Sequence, residues 1–325
     1  MRAARLVEGR SDLVIEEVPD PAVPAGWAMV EVGAAGLCHT DLHLMDGVQF
    51  TTRFGKDYTI RRPRVLGHEI AGTVVRVGAG VTSVAVGDRV AVGGRREPGT
   101  SPGLHIDGGF AQFCSVPATE LVAIPDHVSF AAAAVATDSI LSAYVAVTRA
   151  GEVRSGEVVG IVGLGALGMS GLRAAVLAGA EAHGVDLDAD RRDAGVGNGA
   201  VSCFGSVEDL ADVRPSLVVD FVGGKTTRTA LDVVQPGGRV VVIGLESRDL
   251  TIDAFSLILG RKRLIGALGS DHTEDFESVV RHLAAGDFAP TTEIIDFDDI
   301  GEGFARLRAG SVRGRLVVQP NGAPA

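Results

Sequence analysis

The chain has 325 residues, 46% apolar and 22% charged, a balance that fits about two globular domains and excludes disorder over most of the length. Its net charge of −11 offers no basic surface to nucleic acid. The three cysteines, Cys38, Cys114 and Cys203, exclude a disulfide framework and a four-cysteine zinc site, and they favour a reducing compartment, the cytoplasm.

MRAARLVEGRSDLVIEEVPD carries no apolar signal-peptide core. The first 130 residues read as short strands broken by Gly and Pro, such as MVEVGAAG, AGTVVRVGAGV, GDRVAV and FAQFCSV. Their turn spacing predicts an antiparallel barrel or sandwich. Between them lie two chemistry-bearing clusters, Cys38-His39-Thr40-Asp41-Leu42-His43 and Gly67-His68-Glu69. A cysteine and a histidine brought together from two loops can ligate zinc. Taken singly, the cysteine reads as a small buried hydrophobe and the histidine as structural. The long segment VQFTTRFGKDYTIRRPRV, with Phe50, Phe54 and Tyr58, separates the clusters. Loops of that length are often functional, and it is expected to line a substrate cleft, an ordinary surface excursion being the alternative.

From residue 131 the texture changes. AAAAVATDSILSAYVAVTRAG reads as a helix ending at Gly151, and strands and helices then alternate. VVGIVGLG, EAHGVDLD, LVVDFVG and RVVVIGL read as strands, with ALGMSGLRAAVLAGA and KTTRTALDVVQPGG as helices. Apolar strands with helical crossovers predict a doubly wound parallel sheet. The longest uncharged apolar run, 158–172, is shorter than the about 20 residues of a membrane helix, so no membrane partner is expected. The tail holds the helical EDFESVVRHLAAGD and the strand RLVVQP.

Gly163-Leu164-Gly165-Ala166-Leu167-Gly168 fits G-x-G-x-x-G, follows a strand and opens a helix. Gly163 permits the tight turn, Gly165 the approach of a pyrophosphate, and Gly168 close helix–strand packing. Asp186 ends the next strand, about 20 residues on, where a carboxylate binds ribose hydroxyls and repels a 2′-phosphate. NAD is therefore expected as cofactor rather than NADP. A glycine turn that binds no dinucleotide is the competing reading.

GLCHTDLH, GHEIAGTVVRVGAGV, GDRVAV, DGGFAQF, IVGLGALG, GRVVVIGL and GFARLRAGSVRGRLVV together resemble the zinc-dependent alcohol dehydrogenases of the medium-chain dehydrogenase/reductase superfamily, over almost the whole chain. The resemblance implies an α/β fold: a Rossmann doubly wound parallel sheet over residues 140–269, and a GroES-like β-barrel catalytic domain from residues 1–139 and 270–325. It implies NAD-dependent, zinc-assisted hydride transfer between an alcohol and its aldehyde or ketone. Cys38 and His68 become zinc ligands, and Asp138 stands where the family usually has a third, cysteine ligand. Carboxylate oxygen suits Zn²⁺, although Thr137 or Asp138 capping a helix remains the rival role.

The same resemblance gives Thr40 the hydroxyl against the substrate oxygen and His43 the end of a proton relay. Asp41 becomes the carboxylate orienting His68, and Glu69 a carboxylate near zinc. His39 and Arg315, with Arg313 in an adjacent register, become candidate cofactor phosphate contacts, and Arg191 flanks the adenosine ribose. The interval AVGGRREPGTSPGLHI has no cysteine where many members carry a structural-zinc lobe, so one catalytic and no structural zinc is expected. A homo-oligomer is expected by resemblance. Two rivals stand beside this reading: a zinc-free enoyl or quinone reductase of the same superfamily, and a non-enzymatic NAD-binding protein.

Overall fold

In the computed structural model, which describes residues 1–48, 50–51, 57–58, 60–94, 99–270 and 272–322, contacts divide the chain into two units. One is Met1–Asp138 with Asp271–Ala325, the other Ser139–Ser270.

The first unit is organised by the strand Trp27–Gly36, buried at most positions. It pairs antiparallel with Glu69–Val77 on one side, through two register shifts, and with Arg315–Val318 on the other. The seven-stranded sheet continues through Arg89–Val92 and Leu121–Ala123 at one end and Thr292–Ile295 at the other, with Phe113–Pro117 also pairing to the central strand. A three-stranded sheet has Arg2–Leu6 between Leu13–Glu17 and Arg64–Val65. The end of the chain thus supplies strands to a sheet begun near its start. The helix Ile300–Arg308 buries Ile300, Phe304 and Leu307, one stripe at helical spacing. Phe304 meets the fully buried Phe110 edge to face, ring centroids 5.8 Å apart.

The second unit is a six-stranded parallel sheet. Its order is Ser202–Phe204, Glu181–Val185, Val158–Val162, Leu217–Asp220, Arg239–Val242 and Arg263–Gly266. The chain steps outward twice from Val158–Val162 and then returns to its other flank. The strand order therefore switches direction beside that strand, and ligands of open α/β sheets bind at the carboxyl ends at such a point. Val162, Val185, Val218, Leu231 and Val240 form the core under the helices.

Residues 130–150 form one continuous helical run, with Ser129 accepting from the Ala132 amide at its start. By length and composition this helix could cross a membrane, a property hidden from a search for uncharged runs by Asp138 and Arg149. Its most apolar window is 78% buried inside the protein, which is the condition of a core helix. The start at Phe130 also removes the capping role considered for Thr137 and Asp138. Asp138 lies inside the run, in the π-helical turn Ala136–Ile140. One extra residue per turn there re-aims a side chain, and such turns recur at functional sites.

Candidate metal centre and dinucleotide loop

Four potential ligand atoms, from Cys38, His68, Glu69 and Asp138, lie within 4.8 Å of one another, the one such group among the described residues. Each is set by local structure. Cys38 caps the helix His39–Met45 with extended backbone, its sulfur accepting from the Thr40 amide while Asp41 accepts from the Cys38 amide at 3.1 Å. Gly67, at φ +90°, precedes His68, and the Phe110 ring occupies the space a Cβ would need. Glu69 opens its strand opposite Gly36, where any Cβ would collide with the Glu69 carboxylate.

Asp138 Oδ2 lies 3.6 Å from Cys38 Sγ and 3.7 Å from His68 Nε2. Tetrahedral zinc with bonds of about 2.0–2.3 Å places its ligand atoms about 3.3–3.8 Å apart, so these edges fit one ion. Asp41, fully buried, accepts from the Gly67 amide at 3.2 Å and sits 3.3 Å from His68 Nδ1. That nitrogen has no hydrogen bond of good geometry, although it is buried. The Cys38 sulfur also lies 3.6 Å from the Thr40 hydroxyl.

The electrostatics ask for a cation. Burial would lower the His68 pKa, but Asp41, with Asp138 and Cys38, drives it well above the ordinary histidine value. Burial and the neighbouring Asp138 charge push Glu69 up to about 7 against the opposing pull of Arg315. Arg315 is held above its usual range by Glu69, Cys38 and Asp138, which outweigh its burial. Several buried acidic groups around one guanidinium and one imidazole make a field that a divalent ion would neutralise.

Arg315 departs from its expected role as a phosphate contact. Its guanidinium is buried and bonded to Glu69, with Nε 3.1 Å from both carboxylate oxygens, and Nη2 reaches Asp138 Oδ2 at 3.5 Å. The one trace of this pairing in the sequence is the arginine that opens the apolar run RLVV. Thr40 and His43 are half-buried on the helix behind Cys38, and His39 and Arg313 are exposed. Residues 49, 52–56 and 59 of the long segment proposed to line a substrate cleft, Phe54 among them, lie outside the described residues, as do residues 95–98 of the cysteine-free interval. The backbone of Phe50–Thr51 pairs with Asp57–Tyr58. Cys114 is buried in the core and Cys203 is half-buried, the burial pushing both thiols up.

In the second unit, Gly163 turns at φ +83° directly after Val158–Val162. A Cβ on Gly168 would enter the Gly163 carbonyl, so the helix Ala166–Leu177 can sit this close only with glycine there. Around Gly165 nothing lies within 4 Å of a Cβ position, an open cradle at the start of that helix. Asp186 accepts from the Leu164 amide at 2.8 Å and the Asp188 amide at 2.9 Å, tying the next strand to the turn. Arg191 is 41% exposed, its Nη1 3.7 Å from Asp186 Oδ2. Free amides, a helix dipole, open space and an adjacent carboxylate fit a dinucleotide.

Comparison with known proteins gives the family of the chain. Residues 24–126 match the alcohol dehydrogenase GroES-like domain, and residues 166–285 match the zinc-binding dehydrogenase domain. An alcohol dehydrogenase of Geobacillus stearothermophilus is 30% identical, the alignment covering 98% of this chain and 99% of that protein. An NAD-dependent alcohol dehydrogenase of Sulfurisphaera tokodaii is 29% identical, over 98% of this chain and all (100%) of the relative. The structure of acetophenone reductase from Geotrichum candidum in complex with NAD superposes with a TM-score of 0.87 at 30% identity, covering 98% of this chain and 96% of that one.

Proposed function

The chain belongs to the zinc-dependent alcohol dehydrogenases of the medium-chain dehydrogenase/reductase superfamily, and from that membership we propose how its own residues serve the reaction. It is an NAD-dependent alcohol oxidoreductase, passing a hydride between an alcohol carbon and nicotinamide. Cys38, His68 and Asp138 would hold one zinc per chain, with Glu69 beside them. When bound, the metal supplies Lewis acidity toward the substrate oxygen.

The remaining work belongs to the side chains. Thr40, next to the Cys38 sulfur, holds the proton shared with the substrate oxygen. His43, one helical turn on, hands that proton toward solvent. Asp41 fixes the orientation of His68 by facing its Nδ1. Arg315 holds Glu69 back by pairing with it, which leaves Cys38, His68 and Asp138 as the ligand set. Asp186 takes the adenosine ribose of NAD, with Arg191 at its edge and the Gly163–Gly168 turn on the pyrophosphate. His39 is offered to a cofactor phosphate.

The observation that carries this reading is the convergence of Cys38, His68, Glu69 and Asp138, which a zinc-free reductase has no use for. Its test is an alcohol and carbonyl panel with NAD and NADP, with and without chelator, alongside elemental analysis. Turnover lost with chelator, restored by zinc, and about one zinc per chain are expected. Chelator-insensitive turnover at zero zinc would sink the mechanism. The acting form is a homo-oligomer. In support, the helix Ala254–Leu259 buries none of its residues, Phe255 and Leu259 are 76% and 78% exposed, and the strand that follows in the chain, Arg263–Gly266, is an edge of the sheet. Light scattering reads that directly, and a monomer at working concentration would refute it.

A further inference from the structure

Asp220 is a fully buried carboxylate to which the reaction assigns no part. It ends the strand Leu217–Asp220, which lies beside Val158–Val162 in the sheet. Its Oδ1 accepts from the Val222 amide at 2.9 Å, the Gly223 amide at 3.1 Å and the Thr226 hydroxyl at 3.0 Å. Its Oδ2 accepts from the Thr226 hydroxyl at 2.9 Å and from Thr227. The donors are two backbone amides and two threonine hydroxyls, all neutral. A buried carboxylate is expensive unless its lone pairs are met and positive potential lies near. Here the helix Lys225–Val233 points its N-terminal dipole at the group, and that helix has no side-chain cap of its own at Gly224.

What this carboxylate holds is the loop 221–224, and that loop presses on the dinucleotide turn. The Phe221 amide donates to the Val162 carbonyl at 2.9 Å. A Cβ on Gly163 would meet Val222 Cγ2 at 2.6 Å, and a Cβ on Gly171 would meet the Phe221 ring at 2.5 Å. Phe221 and Val222 therefore form a wedge that fills the room left by two glycines of the turn and its helix. On the opposite flank Asp186 bonds the Leu164 amide directly. The turn is clamped between the two neighbouring strands, one ending in Asp220 and the other followed directly by Asp186.

We propose that Asp220 is a positioning residue for the dinucleotide, acting through Phe221 and Val222 to fix the shape of the Gly163–Gly168 turn. The proposal rests on the reading of that turn as the NAD site. Asp220→Asn keeps the volume but leaves one acceptor oxygen for amides and hydroxyls that now share two. On the full-length zinc-loaded enzyme, calorimetric titration should show NAD binding weakened about tenfold, or about 1.4 kcal/mol. The KM for NAD should rise in parallel, while kcat at saturating NAD, the KM for alcohol and the zinc content stay within about twofold. Thr227→Val, which deletes one donor, should shift NAD binding the same way by less, and it stands in if Asp220→Asn does not fold.

An NAD affinity within about twofold of wild type in these variants overturns the proposal, even if their melting temperatures fall. So does a parallel loss of kcat and zinc. The wild-type titration is run first. A wild-type enzyme that binds no NAD overturns the dinucleotide reading itself and the proposal with it, whereas a binding wild type with indifferent variants removes only the role of Asp220.

Discussion

Replacing Asp138 by asparagine removes one charge from the metal centre at nearly constant volume. Asp138 Oδ2 stands 3.6 Å from Cys38 Sγ, 3.7 Å from His68 Nε2 and 3.5 Å from Arg315 Nη2. With a thiolate, a carboxylate and a neutral imidazole, the two charges of Zn²⁺ are balanced. With asparagine the ion keeps one unbalanced charge in a site that already contains Arg315. Unit charges about 4 Å apart interact by about 4 kcal/mol at an effective dielectric near 20. At about 1.4 kcal/mol per decade, zinc affinity should fall roughly a thousandfold. Competition against a chromogenic chelator reads the affinity, and the same samples give NAD reduction, which should return with excess zinc. Asp138→Cys restores an anionic donor and should stay within about tenfold of wild type. Glu69 could replace the lost carboxylate only by leaving Arg315, so the pair Asp138→Asn with Glu69→Gln closes that route. Wild-type zinc affinity in both the single and the double variant would show that Asp138 is no ligand.

The other expectations follow from single contacts. Gly168→Ala drives a Cβ into the Gly163 carbonyl, which cannot move without opening the turn, and NAD binding by calorimetry should weaken at least about tenfold; an unchanged affinity would show that the turn gives freely. Asp186→Ser removes the carboxylate that faces a 2′-phosphate and also a Leu164 partner, so kcat/KM should fall for NAD and the NADP-to-NAD ratio should rise about tenfold, a constant ratio counting against the ribose assignment. Glu157 is held down to about 2, first by its hydrogen bonds from Arg239 and also by the Arg154 amide and Ser216. Its folded value is depressed, so its contribution is present above the ordinary glutamate range near 4.5 and is lost as pH falls toward about 2. Melting curves of Glu157→Gln should therefore run below wild type at neutral pH, by roughly 2 kcal/mol for this partly exposed pair, and converge with it in acid; a constant gap would exclude the linkage.

Local features of the fold were legible because their signals are local. The glycine turn announces itself within six residues, and the alternation of apolar strands with helices fixes the parallel sheet around it. Cys38 and His68 sit in short motifs that survive reading without coordinates. Asp138 was legible as a position but not as a geometry. A π-helical turn differs from its neighbours by one residue of spacing, and an aspartate in an apolar run can equally begin a helix.

The Glu69–Arg315 pair shows why the rest was not legible. Its members are 246 residues apart, and nothing beside either one in the chain names the other. They meet because of sheet order: Glu69 pairs with Gly36 on one side of the central strand, and Val317, two residues past Arg315, pairs with Gly36 on the other. Gly36 separates the two outer strands, and its missing side chain is the space into which the Glu69 carboxylate extends. A β-carbon there would collide with the Glu69 carboxylate and disturb its pair with Arg315. The glycine therefore makes the room in which Glu69 and Arg315 meet, through a register that only the assembled sheet contains.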